Sequence, residues 1–394
     1  MPTIKAGSFK LSDLRWEKNS SYNLGADIQL FDNKYFIDAN VYYRRTDDLL
    51  FPDISIPTSS GFSNLTYINA GSMGNQGWEF NFSTNRMLKI GDCIFDLNFN
   101  LSNYSNKIIS LSPSILNAYN KDFDYQNGSY LTHIQPGNSF GSIYGFKYLG
   151  VYQYDKYVEG RPGTCPVDRD ANGNVVLDSK GNPMPMTFAY GRLGNAAPFR
   201  GGDAMYADIN HDGTIDELDI VYLGNCNPKL NGGFGATFKY KNLSVNAFFT
   251  FRYGNKIINA ARMNAESMYT NDNQSIATNW RWRQDGDITP IPRALYQAGY
   301  NFLGSDRFVE DGSFLRFKYL TFAYGFDQKL IRPYHLSQLN LYLTLNNIVT
   351  FTKYTGVDPE IAPSTLSKDN LGLVIDNNMT PRPQYFTLGI TVGL

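Results

Sequence analysis

Alternation with a period of two residues dominates this sequence. In the segment 243–253, Leu243, Val245, Ala247, Phe249, Phe251 and Tyr253 fall on one side, with Ser244, Asn246, Phe248, Thr250 and Arg252 on the other. Successive side chains of a strand point to opposite faces, so this is a strand with one apolar side. The same pattern runs through Tyr22, Leu24, Ala26, Ile28 and Leu30, through Tyr35, Ile37, Ala39, Val41 and Tyr43, and through Cys93, Phe95, Leu97, Phe99 and Leu101. It closes the chain in Phe386, Leu388, Ile390, Val392 and Leu394. Further strands read at 75–88, 232–241, 314–327 and 339–354. The last slips at Asn346-Asn347, which predicts a bulge, and 314–327 is less regular because Arg316 and Lys318 share a face with Phe322 and Tyr324. No segment reads as an amphipathic helix, so the chain is all-β.

Composition narrows the class. The 35 Lys and Arg balance 36 Asp and Glu, for a net charge of −1 with no basic block, which argues against a nucleic-acid partner. Mean hydropathy is −0.35 and no apolar run approaches the ~18 residues of a spanning helix, which excludes a helical membrane protein. Hydrophobic residues at 42% argue against disorder. Cys93, Cys165 and Cys226 are too few for a disulfide scaffold, although Cys165 and Cys226 could pair in an oxidising compartment.

Soluble sandwiches also alternate. Here, however, the apolar rows run five or six positions and often end in Tyr or Phe, while the opposite rows carry Asn, Thr, Asp, Gln and Gly, as a wet interior requires. The connections alternate too: 32–34, 89–92, 242 and 328–338 are the shorter ones, and 51–74, 110–231, 256–313 and 355–383 the longer. Short turns on one side and long loops on the other are the mark of an outer-membrane barrel. About nine spanning strands are expected, if Gly141–Gln153 belongs to the loop 110–231. An odd count with its first strand starting outside cannot close a barrel of even strand number. Residues 1–21 are then an extracellular segment, and 22–394 are expected to be part of a larger barrel. Alone, such a part leaves two open edges in lipid and is expected to aggregate or fail to insert.

Several segments resemble, in order, the C-terminal barrel region of the SusC/RagA-type TonB-linked outer-membrane proteins of Bacteroidetes. They include Leu14-Arg-Trp-Glu-Lys18 with Tyr22-Asn-Leu-Gly25, Tyr42–Leu50, Asn69–Phe80, Gly141-Ser-Ile-Tyr-Gly-Phe146 and Asp208–Asp216 with Gly224–Lys229. Val309–Arg316, Asn346–Ile348, Thr350–Tyr354 and Asp358-Pro-Glu360 continue the series. The resemblance implies an all-β fold, a partial antiparallel transmembrane β-barrel forming the C-terminal part of a roughly 22-stranded transporter. It implies nutrient import across the outer membrane of a Gram-negative cell, with oligosaccharide or peptide cargo, a SusD-like surface lipoprotein and TonB as partners, and no enzyme activity. The family's plug and TonB box precede this region, so energised transport is not expected of these residues alone. A soluble or secreted β-rich glycan-binding protein and a non-functional gene fragment are the competing readings.

The sharpest local motif is Asp208-x-Asn210-x-Asp212-Gly213-Thr214-x-Asp216-x-x-Asp219. Oxygen donors at positions 1, 3 and 5, Gly at 6 and an acid at 12 match a calcium loop, with Thr214 ligating through its carbonyl and Asp216 through water. Asp219 replaces the usual Glu. The alternative is an Asx-rich turn without metal. Tyr144, Phe146, Tyr148 and Tyr152 in the second long loop, and Trp280 and Trp282 beside Arg281 and Arg283 in the third, offer stacking faces for sugar rings; Tyr144, Phe146, Trp280 and Trp282 are the candidate substrate or partner contacts. His133, His211 and His335 show no metal-ligand spacing, and no nucleophile or phosphate motif appears.

Overall fold

A computed structural model describes residues 13–55, 59, 64–120, 130–131, 133–160, 163–190, 195–363 and 371–394. Nine strands form one antiparallel path: β1 (Lys18–Leu30), β2 (Tyr35–Asp47), β3 (Gly71–Thr84), β4 (Cys93–Leu111), β5 (Leu230–Tyr240), β6 (Leu243–Tyr253), β7 (Phe314–Gly325), β8 (Gln338–Thr352) and β9 (Tyr385–Gly393). Each pairs with the next in sequence, and among the described residues the sheet is open, with β1 and β9 at its edges. Of the expected segment 1–21, residues 1–12 lie outside the described ones and Lys18–Ser21 already belong to β1.

Register carries the apolar rows from strand to strand. Leu24 faces Val41, which faces Trp78; Phe82 faces Phe99, which faces Phe234; Phe234 faces Phe249; Phe322 faces Leu343, which faces Leu388. A one-residue slip anywhere would turn a whole row to the other face, so this continuity is strongly specified. The rings of Phe234, Phe249 and Phe317 stack across three strands, with centroids 5.1 and 4.4 Å apart. The opposite face is a ladder of polar pairs, among them Asn81 to Asp38, Asn246 to Thr237 and Thr321 with Thr344. Among the described residues, Ile108 and Phe314 are the only buried apolar side chains that the nine strands contribute. Leu24, Val41, Phe238, Phe322, Leu343, Leu388 and Ile390 are all exposed. The apolar rows therefore do not meet across a dry interior; they form the outside of a wall, which suits a bilayer.

Two irregularities follow from one cause. Lys318 is an extra residue in β7, where the register shifts against both β6 and β8. Beyond it, Leu320, Phe322 and Tyr324 rejoin the apolar row. Opposite lies the predicted slip in β8, where Asn347 adopts a left-handed φ of 52°. A bulge lets Arg316 and Lys318 coexist with an unbroken greasy face.

The shorter connections, 31–34, 85–92, 241–242 and 326–337, alternate with the longer ones, 48–70, 112–229, 254–313 and 353–384. Helices, which the sequence pattern does not announce, occur in the connections and are short: Pro113–Tyr119, Ala260–Ala265 and Gln328–Ile331. The first begins at Ser112, whose hydroxyl accepts from the Ile115 amide, with Pro at the first helical position.

Candidate functional site

The chain's hydrophobic cores lie in the longer connections. Phe51 and Ala70 of the first loop pack with Ile115, Ile134 and Phe140 of the second and Leu371 of the fourth. Ile143 and Cys226 of the second loop meet Ile257 and Ile258 of the third and Tyr354, Ile361, Leu373 and Val374 of the fourth. Phe146, Tyr152, Phe188, Phe199, Tyr206 and Ile215 form a third core, closed by Leu303. All four longer connections thus converge on one rim and pack as a single cap.

Ionic clasps join the loops where apolar packing ends. Asp203 is fully buried; its carboxylate accepts from the Arg200 amide, from Arg293 Nε at 2.7 Å and from Asn301 Nδ2. Burial pushes its pKa up, against the pull of Arg293. Glu266 accepts from Arg262 and Arg307, and Glu310 from Arg262, Asn259 and Thr355. The fourth loop is fastened to the wall through Arg316, 2% exposed, which donates to Asp358 at 2.6 Å, Glu360 at 2.8 Å and Thr350 at 2.9 Å. Asn100, Asn231, Thr250, Arg252 and Glu360 border a recess between wall and cap. No motif announces the pairs that join the elements, because Asp203 and Arg293, Glu310 and Thr355, and Arg316 and Asp358 each lie far apart in sequence.

The acidic turn is tightly wound. Asp208 accepts from the amides of His211 at 2.7 Å and Gly213 at 2.9 Å, Asn210 from that of Asp212, and Asp212 from that of Thr214. Gly213 has a φ of 77°, the left-handed conformation that glycine permits. Asp216 caps the one-turn helix Glu217–Asp219, accepting from the Leu218 amide. Asp219 completes the capping box: it is fully buried and accepts from the Ile209 amide at 2.7 Å and the Asp216 amide at 2.9 Å. Burial pushes its pKa up to about 6. Among the described residues no three acidic, His or Cys side chains form a ready-made metal cage.

The aromatic candidates separate by burial. Phe146 is fully buried and Tyr144 nearly so, in T-shaped contact with His133 and Tyr222. Tyr152 is also buried, against Phe199. Trp282 lies over Gly202 and donates from Nε1 to the Gln153 carbonyl, joining the third loop to the second. Trp280 alone of the four candidate contacts is exposed, at 75%, as are Ile276 and Ile288 of the same loop. No disulfide joins Cys165 to Cys226: Cys165 donates to the Lys156 carbonyl, while Cys226 accepts from the Val374 amide.

Residues 2–182 match a family model described as TonB dependent receptor-like, beta-barrel. TonB-dependent receptor P39 of Formosa agariphila is 30% identical over 370 residues, covering 89% of this chain and 33% of that protein. TonB-dependent receptor SusC of Bacteroides thetaiotaomicron is 23% identical over 387 residues, covering 96% of the chain and 32% of that protein. A chain in the structure of the RagAB peptide transporter superposes with a TM-score of 0.69 at 24% identity, over 96% of this chain and 36% of that one. The chain spans about a third of the length of the relatives it matches.

Proposed function

Because the chain belongs to the SusC/RagA-type TonB-dependent receptors, whose β-barrel region it carries, we propose that it forms wall and extracellular cap of a nutrient importer in the outer membrane. The observation that carries this is the pairing of a continuous outward apolar face with a polar inner face, topped by four longer connections on one rim. The outer rows meet lipid; the Asn, Thr and Asp rows line a wet lumen. The cargo is a solute too large for porins, an oligosaccharide or a peptide. Peptide cargo is supported by the superposition on a peptide transporter, and either by the amide-rich recess beside Arg252. A SusD-like lipoprotein docks on the cap, where Trp280, Ile276 and Ile288 of the third loop are exposed. TonB acts through a plug of the complete protein.

Purification from outer membranes tests this. The expected outcome is extraction only with detergent, a lipoprotein at equal stoichiometry, and loss of growth on one oligosaccharide or peptide source when the gene is deleted. Recovery as a monodisperse soluble protein without detergent favours the second reading, a glycan-binding β protein, and overturns this one.

A further inference from the structure

We propose that Asp168 and the turn Asp208–Thr214 together form a calcium site, with Asp168 supplying the carboxylate that the loop's twelfth position does not. That position is Asp219, whose two oxygens each accept a backbone amide, from Ile209 and Asp216, and hold the loop shut. The carboxylate that faces the turn comes instead from a segment forty residues away in sequence.

Asp168 is 5% exposed, and its Oδ1 is buried without a hydrogen-bond partner. A folded-back ribbon sets its place: the Asp168 amide donates to the Met184 carbonyl, its carbonyl accepts from the Val176 amide, and Val167 bridges Pro185. The ribbon runs on into Thr187, whose amide donates to the Gly213 carbonyl, and the short strand Thr187–Tyr190 then pairs in parallel with Thr214–Ile215. This brings the carboxylate against the turn. A Cβ on Gly213 would stand 2.8 Å from both Cγ and Oδ2 of Asp168, so glycine is needed here for space as well as for its φ.

The surroundings are negative where they face Asp168. Asp208 and Asp212 belong to the turn it stands against, and neither brings a donor to its Oδ1. The adjacent base does not neutralise it: Arg169 turns away, donating from Nη1 to the Gly173 carbonyl and lying against Gly163. A buried carboxylate with one oxygen, Oδ1, left without a donor beside two more acids is costly, and a divalent cation relieves that cost. Each carboxylate oxygen has two acceptor sites, so Asp208 and Asp212 keep lone pairs beyond those given to the turn's amides. The donors, Asp168, Asp208, Asn210, Asp212 and the Thr214 carbonyl, are all hard oxygens, which selects calcium over the softer transition metals. Bound there, the ion crosslinks the ribbon 165–187 to the acidic turn.

Calcium titration of the chelator-treated, detergent-solubilised protein, followed by calorimetry, tests the site without reference to transport. The expected Kd is about 10⁻³ M or tighter, weakened at least tenfold by Asp168→Asn and unchanged by Asp178→Asn, whose residue caps an exposed turn of the same ribbon. Absence of binding by the wild type, or equal binding by Asp168→Asn, overturns the proposal. Hydrogen exchange on the wild type provides a measurement independent of any variant's folding. Calcium is expected to slow exchange in both 165–187 and 208–216; slowing confined to 208–216 removes Asp168 from the site.

Discussion

Arg293 and Asp203, ninety residues apart in sequence, close the seam between the third and second long loops: Nε donates to Oδ1 at 2.7 Å and Nη2 to Oδ2 at 3.2 Å. Asp203 is fully buried and Arg293 about a third exposed. Removing the cation strands a buried charge, so Arg293→Met is expected to cost about 3 kcal/mol. Adding Asp203→Asn removes that charge and is expected to restore much of the loss. The cycle is read from urea midpoints in detergent; additive losses would show that the pair is not coupled.

The backbone approach of Gly145 to Gly304 is a second seam between the same loops. A Cβ on Gly145 would stand 2.4 Å from the Gly304 carbonyl oxygen, which accepts from the Phe146 amide. Both partners are backbone and neither can rotate away. Gly145→Ala is expected to destabilise by about 1–3 kcal/mol and to expose the third loop to limited proteolysis. An unchanged cleavage pattern would count against a rigid cap.

The seams respond to acid with opposite signs. Burial alone would raise the pKa of Glu310 and of Asp358, but both are held below the ordinary range, Glu310 by Thr355 and Arg262, Asp358 by the Glu360 amide and Arg316. A depressed acid contributes stability that is present above its unfolded pKa, about 4, and is lost as pH falls through the folded one. Asp203 is raised, chiefly by burial, so its contribution grows as pH falls through its folded pKa. Hydrogen exchange corrected for intrinsic rates is therefore expected to speed up in 353–363 between pH 6 and pH 3, while the Asp203–Arg293 seam does not weaken. Loosening of both together would contradict the assignment.

Leu343 and Thr344 are neighbours on opposite faces of β8, Leu343 between Phe322 and Leu388 and Thr344 bonded to Thr321. Leu343→Arg on the lipid side is expected to cost about 2–4 kcal/mol, and Thr344→Arg on the lumen side far less. The yield of folded protein in outer membranes reports the difference; equal losses would remove the inside–outside distinction.

The wall was legible because a strand's period is local and a membrane leaves it uncompensated. Leu243–Tyr253 can be read without knowing its neighbours, and even the slip at Asn346-Asn347 shows as a break in rhythm. The cap was not legible. Its short strands, such as Ser142–Gly145 and Thr187–Tyr190, pair across long stretches of chain, and no periodicity marks them. Phe146 shows the cost: in sequence it is one aromatic among several, and only folding reveals that its faces are spent on packing. Asp203 reads as a turn residue, because Arg293 lies ninety positions on. In the acidic turn, spacing pointed to Asp208, Asn210 and Asp212, but could not reveal that Asp219 is spent as a cap or that Asp168 stands against Gly213.

Single cysteines placed along β8, in protein whose Cys93, Cys165 and Cys226 are replaced by Ser, and spin-labelled in lipid bilayers, test the wall most directly. Labels at 341, 343 and 345 are predicted to collide with lipid-soluble oxygen, and those at 340, 342 and 344 with a water-soluble nickel reagent, in strict alternation. A profile without that two-residue period, with both faces shielded from both reagents, would contradict a membrane wall.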